Sequence, residues 1–168
     1  MSEYVDPIIA LVIEKLNSEG PAELQNRYYH GDVLLVPKQE LPIISVAKDQ
    51  TVIRAASNLE DEHYMPLVIN ILLDYTADLD QSSDLVAGVT RLYEMCEARN
   101  GDYSLKADSL AYILRKYQRL DDNVWIDIGP NEELNIDYGL GINRRGPGIF
   151  SVEAVIHTAV KVHTERPS

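Results

Sequence analysis

The stretch Met65–Thr76 limits what this chain can fold into more than any other. From Leu67 onward, Leu67, Ile69, Ile71, Leu73 and Tyr75 point one way, while Val68, Asn70, Leu72, Asp74 and Thr76 point the other. Alternation with period two is the pattern of a strand with one face in a core. The shorter run Thr51–Ser57 precedes it, separated by the polar, acidic loop Asn58–Glu62. That arrangement predicts an antiparallel hairpin. The C-terminal run Val152–Thr164 alternates likewise and is expected in the same sheet.

The helices have their own signals. Val5–Leu16 is predicted helical, with Asp6 as N-cap and Pro7 at the first position, where a missing N–H costs nothing. Ile8, Ile9, Val12, Ile13 and Leu16 form its apolar face, and Gly20-Pro21 stops it. Asp84–Ala98 is a second helix, capped by Ser82 or Ser83, with the stripe Leu85, Val86, Val89, Leu92, Tyr93 and Cys96. Leu105–Tyr117 is a third, with Leu110, Ile113, Leu114 and Tyr117 inward. Short strands are expected at Val33–Val36 and Leu41–Val46, and a helical turn at Ala22–Asn26. Val124–Ile128 and Glu133–Tyr138 are expected to form a hairpin around Gly129-Pro130-Asn131, and Gly139–Gly148 a mobile loop. Strands cluster and helices pair, so the expected fold is a single α+β domain over 1–168. Its central antiparallel or mixed sheet would be flanked by helices.

A chain of 168 residues can bury a core without disulfides or metal, and its single cysteine, Cys96, cannot form an intrachain bridge. No apolar run approaches the roughly 20 residues that span a bilayer. The N-terminus lacks the layout of a signal peptide, so a soluble protein of a reducing cytoplasm is expected. Net charge is −12, from 27 acidic and 15 basic residues. Such a surface repels nucleic acid. Solubility alone explains it; a surface that must pass DNA without gripping it is the sharper reading.

Candidate chemistry is sparse. Asp78-Leu-Asp80-Gln-Ser82 starts like a calcium loop, but Ser83 replaces the turn glycine and Val89 the closing glutamate. Gly139-Leu-Gly141-Ile-Asn-Arg144 starts like a dinucleotide fingerprint, with Arg144 at the third glycine and no helix following. His30, His63, His157 and His163 have no zinc-site spacing, and Cys96 sits on an apolar stripe. No catalytic, metal or cofactor-binding residue is assigned, and an enzyme is not expected. Two basic features stand out instead. Lys106, Arg115, Lys116 and Arg119 form one expected basic face on the third helix. Arg144 and Arg145 lie in the glycine loop, where they invite a partner carboxylate or phosphate or are simply solvated. In an assembly these cations could meet a neighbour's acidic turn at Glu60, Asp61 and Glu62.

The order of elements resembles a known family. An N-terminal apolar helix leads through Tyr28-Tyr29 and Gly31-Asp32 to Pro42-Ile43-Ile44-Ser45-Val46. The Thr51–Thr76 hairpin, two helices, Leu134-Asn-Ile-Asp-Tyr138 and a terminal strand ending Val160-Lys-Val-His163 follow. This layout is similar to the tail-terminator (tail completion) proteins of long-tailed bacteriophages. The resemblance implies a virion protein, assembled in the host cytoplasm, that forms a homohexameric ring on the tail tube. Such a ring stops tube polymerisation, joins the tail to the neck or connector protein and passes DNA through its lumen. A sheath protein is a possible further partner, and no membrane is involved. No catalytic residue carries over. A neck or head–tail connector protein of the same virion is the first alternative. A soluble cytoplasmic enzyme or small-molecule binding domain is the second.

Overall fold

The computed structural model describes residues 4–31, 40–75, 85–126, 133–139 and 142–168. Its two longest strands run antiparallel side by side and everything else is arranged around them. In chain order the elements are α1 (Pro7–Glu19), a 3-10 turn (Ala22–Leu24), β1 (Tyr28–His30), β2 (Ile43–Lys48), β3 (Val52–Ala55) and β4 (Glu60–Asp74). There follow α2 (Leu85–Glu97), α3 (Leu110–Lys116), β5 (Arg119–Asp121), β6 (Val124–Ile126), β7 (Asn135–Tyr138), β8 (Asn143–Gly146) and β9 (Ile149–Glu165). The α+β class expected from the order of elements is the one observed.

All of β4 pairs with β9, from Glu60 opposite Glu165 to Asp74 opposite Ser151. On the far side of β4, β2 pairs with the segment Leu67–Leu72, and β3 with Asp61–Tyr64. On the far side of β9, β6, β7 and β8 follow one another along its length, and β5 pairs with β6. β1 joins β2 in the one parallel pair among the described strands.

Pro66 lies within β4, where a proline would normally argue against a central strand. Its carbonyl accepts from the Asp49 N–H at 2.9 Å, so its ring nitrogen faces the step between β2 and β3, where no ladder bond is lost.

The alternation in β4 is decisive for packing. Met65, Leu67, Ile69, Ile71, Leu73 and Tyr75 are buried in one core with Val152, Ala154, Ile156 and Val160 of β9. Val12 and Leu16 of α1, Leu92 and Cys96 of α2, and Ile113 and Leu114 of α3 complete it. Each buried Leu or Ile contributes about 1.5–3 kcal/mol relative to exposure. Among the described residues the opposite face holds a small cluster of Leu41, Ile43 and Leu72, with Ile149 against it.

The first helix starts as expected. The Asp6 carboxylate accepts from the amides of Ile8 (2.9 Å) and Ile9 (3.2 Å) and also pairs with Lys48 at the end of β2. Burial alone would raise its pKa, but Lys48 and the two amides outweigh that and hold it below its ordinary 3.8.

Three expectations need correction. β6 and β7 do not form a hairpin with each other; both pair with β9, at Val160–Val162 and Ala154–His157. The third helix begins only at Leu110, because Ser109 caps it, its hydroxyl accepting from Tyr112 N–H at 3.4 Å. The stretch 139–148 is not wholly a loop, since β8 lies in it and returns into β9 through Gly146-Pro147-Gly148, with Gly148 at φ +67°. The expected strand Val33–Val36, the Asp78–Ser82 stretch, the caps at Ser82 and Ser83 and the turn Gly129-Pro130-Asn131 lie outside the described residues. No helix among the described residues is long and apolar enough to cross a membrane.

Candidate assembly surface

Above Pro66 the sheet continues as a row of five strands, β3-β4-β9-β6-β5. Every residue of β3 is exposed. Val52 is 38% exposed, Ile53 59%, and Leu59, at the turn beyond β3, 78%. The turn is held by Ser57, whose hydroxyl accepts from the amides of Leu59 (3.2 Å) and Glu60 (3.1 Å), an arrangement suited to serine. The C-terminal residues clamp it from behind. Arg166 donates to the Ser57 carbonyl (2.8 Å) and Asp61 (3.2 Å), and its amide donates to the Leu59 carbonyl (2.8 Å).

The acidic residues assigned here behave differently from an acidic turn. Glu60, Asp61 and Glu62 are the first residues of β4, and the turn lies before them. Asp61 is taken up by Arg166. Glu62 is the centre of a cation cluster: Arg54 donates to it at 2.7 and 3.0 Å, with His163 at 3.4 Å and Lys161 at 3.9 Å. The Arg54 hydrogen bonds hold the Glu62 carboxyl below its ordinary range against the opposing effect of burial, and Lys161, Arg54 and His163 add electrostatic attraction. His163 in turn lies edge-on to Trp125, 5.2 Å between ring centres. Only Glu60 stays exposed, opposite the equally exposed Glu165, and neither meets a cation among the described residues. Two of the three expected acceptors are therefore spent inside the chain, because strand pairing brings distant cations beside them.

Arg145 is corrected for the same reason. Its guanidinium donates to Glu153 through Nε at 2.7 Å and through Nη2, while the Ser151 hydroxyl donates to the same carboxylate at 2.6 Å. Glu153 is buried, so Arg145 serves to neutralise its own chain. Arg144 is exposed, with its Nε donating to the Gly146 carbonyl at 3.3 Å.

The expected basic helix face is dispersed. Lys106 precedes α3, its amide donating to the Ala98 carbonyl at 2.6 Å. Lys116 lies over the rings of Tyr117 (5.1 Å) and Tyr112 (5.4 Å). Arg119 is on β5 and pairs with Asp122 at 2.9 Å.

Arg115 lines a cleft of about 500 Å³ with Glu97, Arg99, Leu105, Leu134 and Ile136. In this cleft Glu97 accepts from Tyr138 (2.8 Å) and Arg99 (3.2 Å). Burial, then Glu97, pushes the Tyr138 hydroxyl pKa up. Burial, then Glu97, pushes the Cys96 thiol up to about 12, which leaves it protonated and unreactive.

Among the described residues no group of three or more His, Cys, Asp or Glu side chains could hold a metal ion.

The exposed apolar residues Val52, Ile53 and Leu59 were missed by sequence reasoning. The hairpin was legible, but alternation cannot tell a strand end covered by helices from one left bare. No family model and no curated protein matches the chain.

Proposed function

We propose that this chain is a structural protein of a bacteriophage virion, a tail terminator working as a homohexameric ring. The ring caps the tail tube, stops its growth and joins it to the neck, and the genome passes through its lumen. One observation carries the reading: on a chain of net charge −12, Val52, Ile53 and Leu59 stand exposed on a hairpin whose outer strand, among the described residues, pairs on one side only. Native proteins blunt exposed strand edges with short length, charged side chains, proline or bulges. β3 is only four residues long and its one charge, Arg54, is held by Glu62; it has no lysine, proline or bulge, pairs in unbroken register with β4 and carries two β-branched residues. An edge of this kind, with apolar side chains beside it, suits a surface that is covered in an assembly. The acidic remainder fits a conduit that must not bind DNA phosphates, since binding requires cations to displace condensed counterions.

Light scattering on the purified chain, alone and with tail-tube protein, tests this. The expected particle has six times the 18.9 kDa chain mass. Electron microscopy of particles lacking the protein should show tubes of uncontrolled length. A chain that stays monomeric at high concentration beside tube protein would overturn the proposal.

A further inference from the structure

We infer that the sheet of one copy continues into the next, with β5 of one chain lying parallel to β3 of its neighbour. The inference rests on the ring reading and specifies how its subunits join.

Two rows of paired residues cross the upper sheet from edge to edge, with a bulge in β5 between them. One runs Asp121–Val124–Val162–His63–Ile53, the other Arg119–Trp125–Lys161–Tyr64–Val52. Both rows end in strands that, among the described residues, pair on one side only. The directions also agree. β3, β4, β9, β6 and β5 are antiparallel in succession, so β3 and β5 run the same way. Rotation about a ring axis along the strands leaves strand direction unchanged. Such a rotation sets β5 beside the neighbour's β3 as a parallel pair. Asp121 then lies level with Ile53, while the bulge in β5 between Arg119 and Asp121 sets two residue steps of β5 against the single step from Val52 to Ile53.

Charge supports the same register. The Arg54 side chain, one step above Ile53, is 61% exposed, and that of Asp122, one step beyond Asp121, is 90% exposed while it pairs with Arg119 of its own chain. A guanidinium has five donors, so Arg54 can keep Glu62 and still reach an incoming carboxylate.

The occupant we commit to is a second copy. Any other strand that covered β3 would leave β5 bare, whereas a second copy satisfies both edges with one repeated, head-to-tail contact.

Single-cysteine variants test this with a short bis-thiol cross-linker, applied to the assembled chain, with tube protein present if assembly needs it. Ile53→Cys and Asp121→Cys both alter exposed positions, and the native Cys96 is fully buried. A mixture of the two variants should give a band at twice the chain mass, and each variant alone none. The double variant should give a ladder ending at a discrete top band. Cross-linking of Ile53→Cys by itself would mean a two-fold β3–β3 contact and overturn the inference. Cross-linking of Ile53→Cys to tube protein would also overturn it. No cross-link in particles of ring mass would place the contact elsewhere while leaving the ring reading intact. A chain that remains monomeric would overturn both.

Discussion

β4 and β9 pass through two different environments. Below Pro66 they are flanked by β2 on one side and β7 and β8 on the other, with α1, α2 and α3 packed over one face. Above it they are flanked by β3 and β6, and the exposed side chains of β3 and its turn include apolar ones. Ionic contacts differ in the same way. The lower end has the Arg145–Glu153 pair beside a buried serine, whereas the upper end has Arg54, with its more exposed guanidinium, on Glu62. One pair of strands thus carries most of the helix-covered core at one end and the bare apolar side chains of β3 and its turn at the other.

The largest effects should come from the lower end. Ile69 is fully buried, opposite the equally buried Ile156. Ile69→Ala should lose about 4 kcal/mol, the transfer free energy of the side chain plus a cavity that neighbouring elements cannot fill. Urea denaturation measures it, and a loss below about 1 kcal/mol would mean that the lower core is loosely packed. Arg145→Ala comes next. It leaves Glu153 buried without its cation, at a cost of about 3 kcal/mol. The double change Arg145→Ala with Glu153→Ala should recover much of that loss, because the stranded charge goes with it. A reversal such as Arg145→Glu would set two carboxylates together and unfold the lower end, so it says nothing about assembly.

Sequence reasoning found the parts of the fold that depend on local pattern. Alternation placed the two long strands, and Asp6-Pro7 and Gly20 bounded α1. It failed where strand pairing decides. Glu153 is only eight positions from Arg145, yet it is the β8–β9 turn that sets it and Ser151 beside the guanidinium, and nothing near Glu62 points to Lys161 and His163, about a hundred positions away. The acidic run Glu60–Glu62 has poor strand propensity and reads as a turn. It is a strand because β3 and β9 hold it from both sides. Arg145, Asp61 and Glu62 thus look like free surface charge in the sequence, yet the fold pairs each of them within the chain.

Asp6 lies at the border, tying α1 to the last residue of β2, just below the step between the two environments. Asp6→Ala should cost about 1 kcal/mol at neutral pH through the lost cap. The pH dependence follows from the sign of its shift. Its carboxyl is held below the ordinary 3.8, so its contribution is complete above that value and fades as pH falls through the lowered folded value. The stability difference between wild type and Asp6→Asn, which keeps the cap but not the charge, should shrink over that acid range. A difference that stays constant would remove Lys48 as the cause.

The smallest effect on stability is expected at the upper end. Ile53→Thr keeps a β-branched residue in β3, so strand propensity is preserved while the exposed apolar surface is reduced. Because the side chain is already mostly in water, the denaturation midpoint should move by no more than about 0.5 kcal/mol. Assembly should weaken nonetheless, as seen by light scattering at a fixed concentration. That combination separates the two ends: a lower-end substitution unfolds the chain, an upper-end one unmakes the particle. A loss of more than about 1 kcal/mol from Ile53→Thr would mean that the chain itself covers β3. The upper ribbon would then belong to the core, and the contrast between the two ends would collapse.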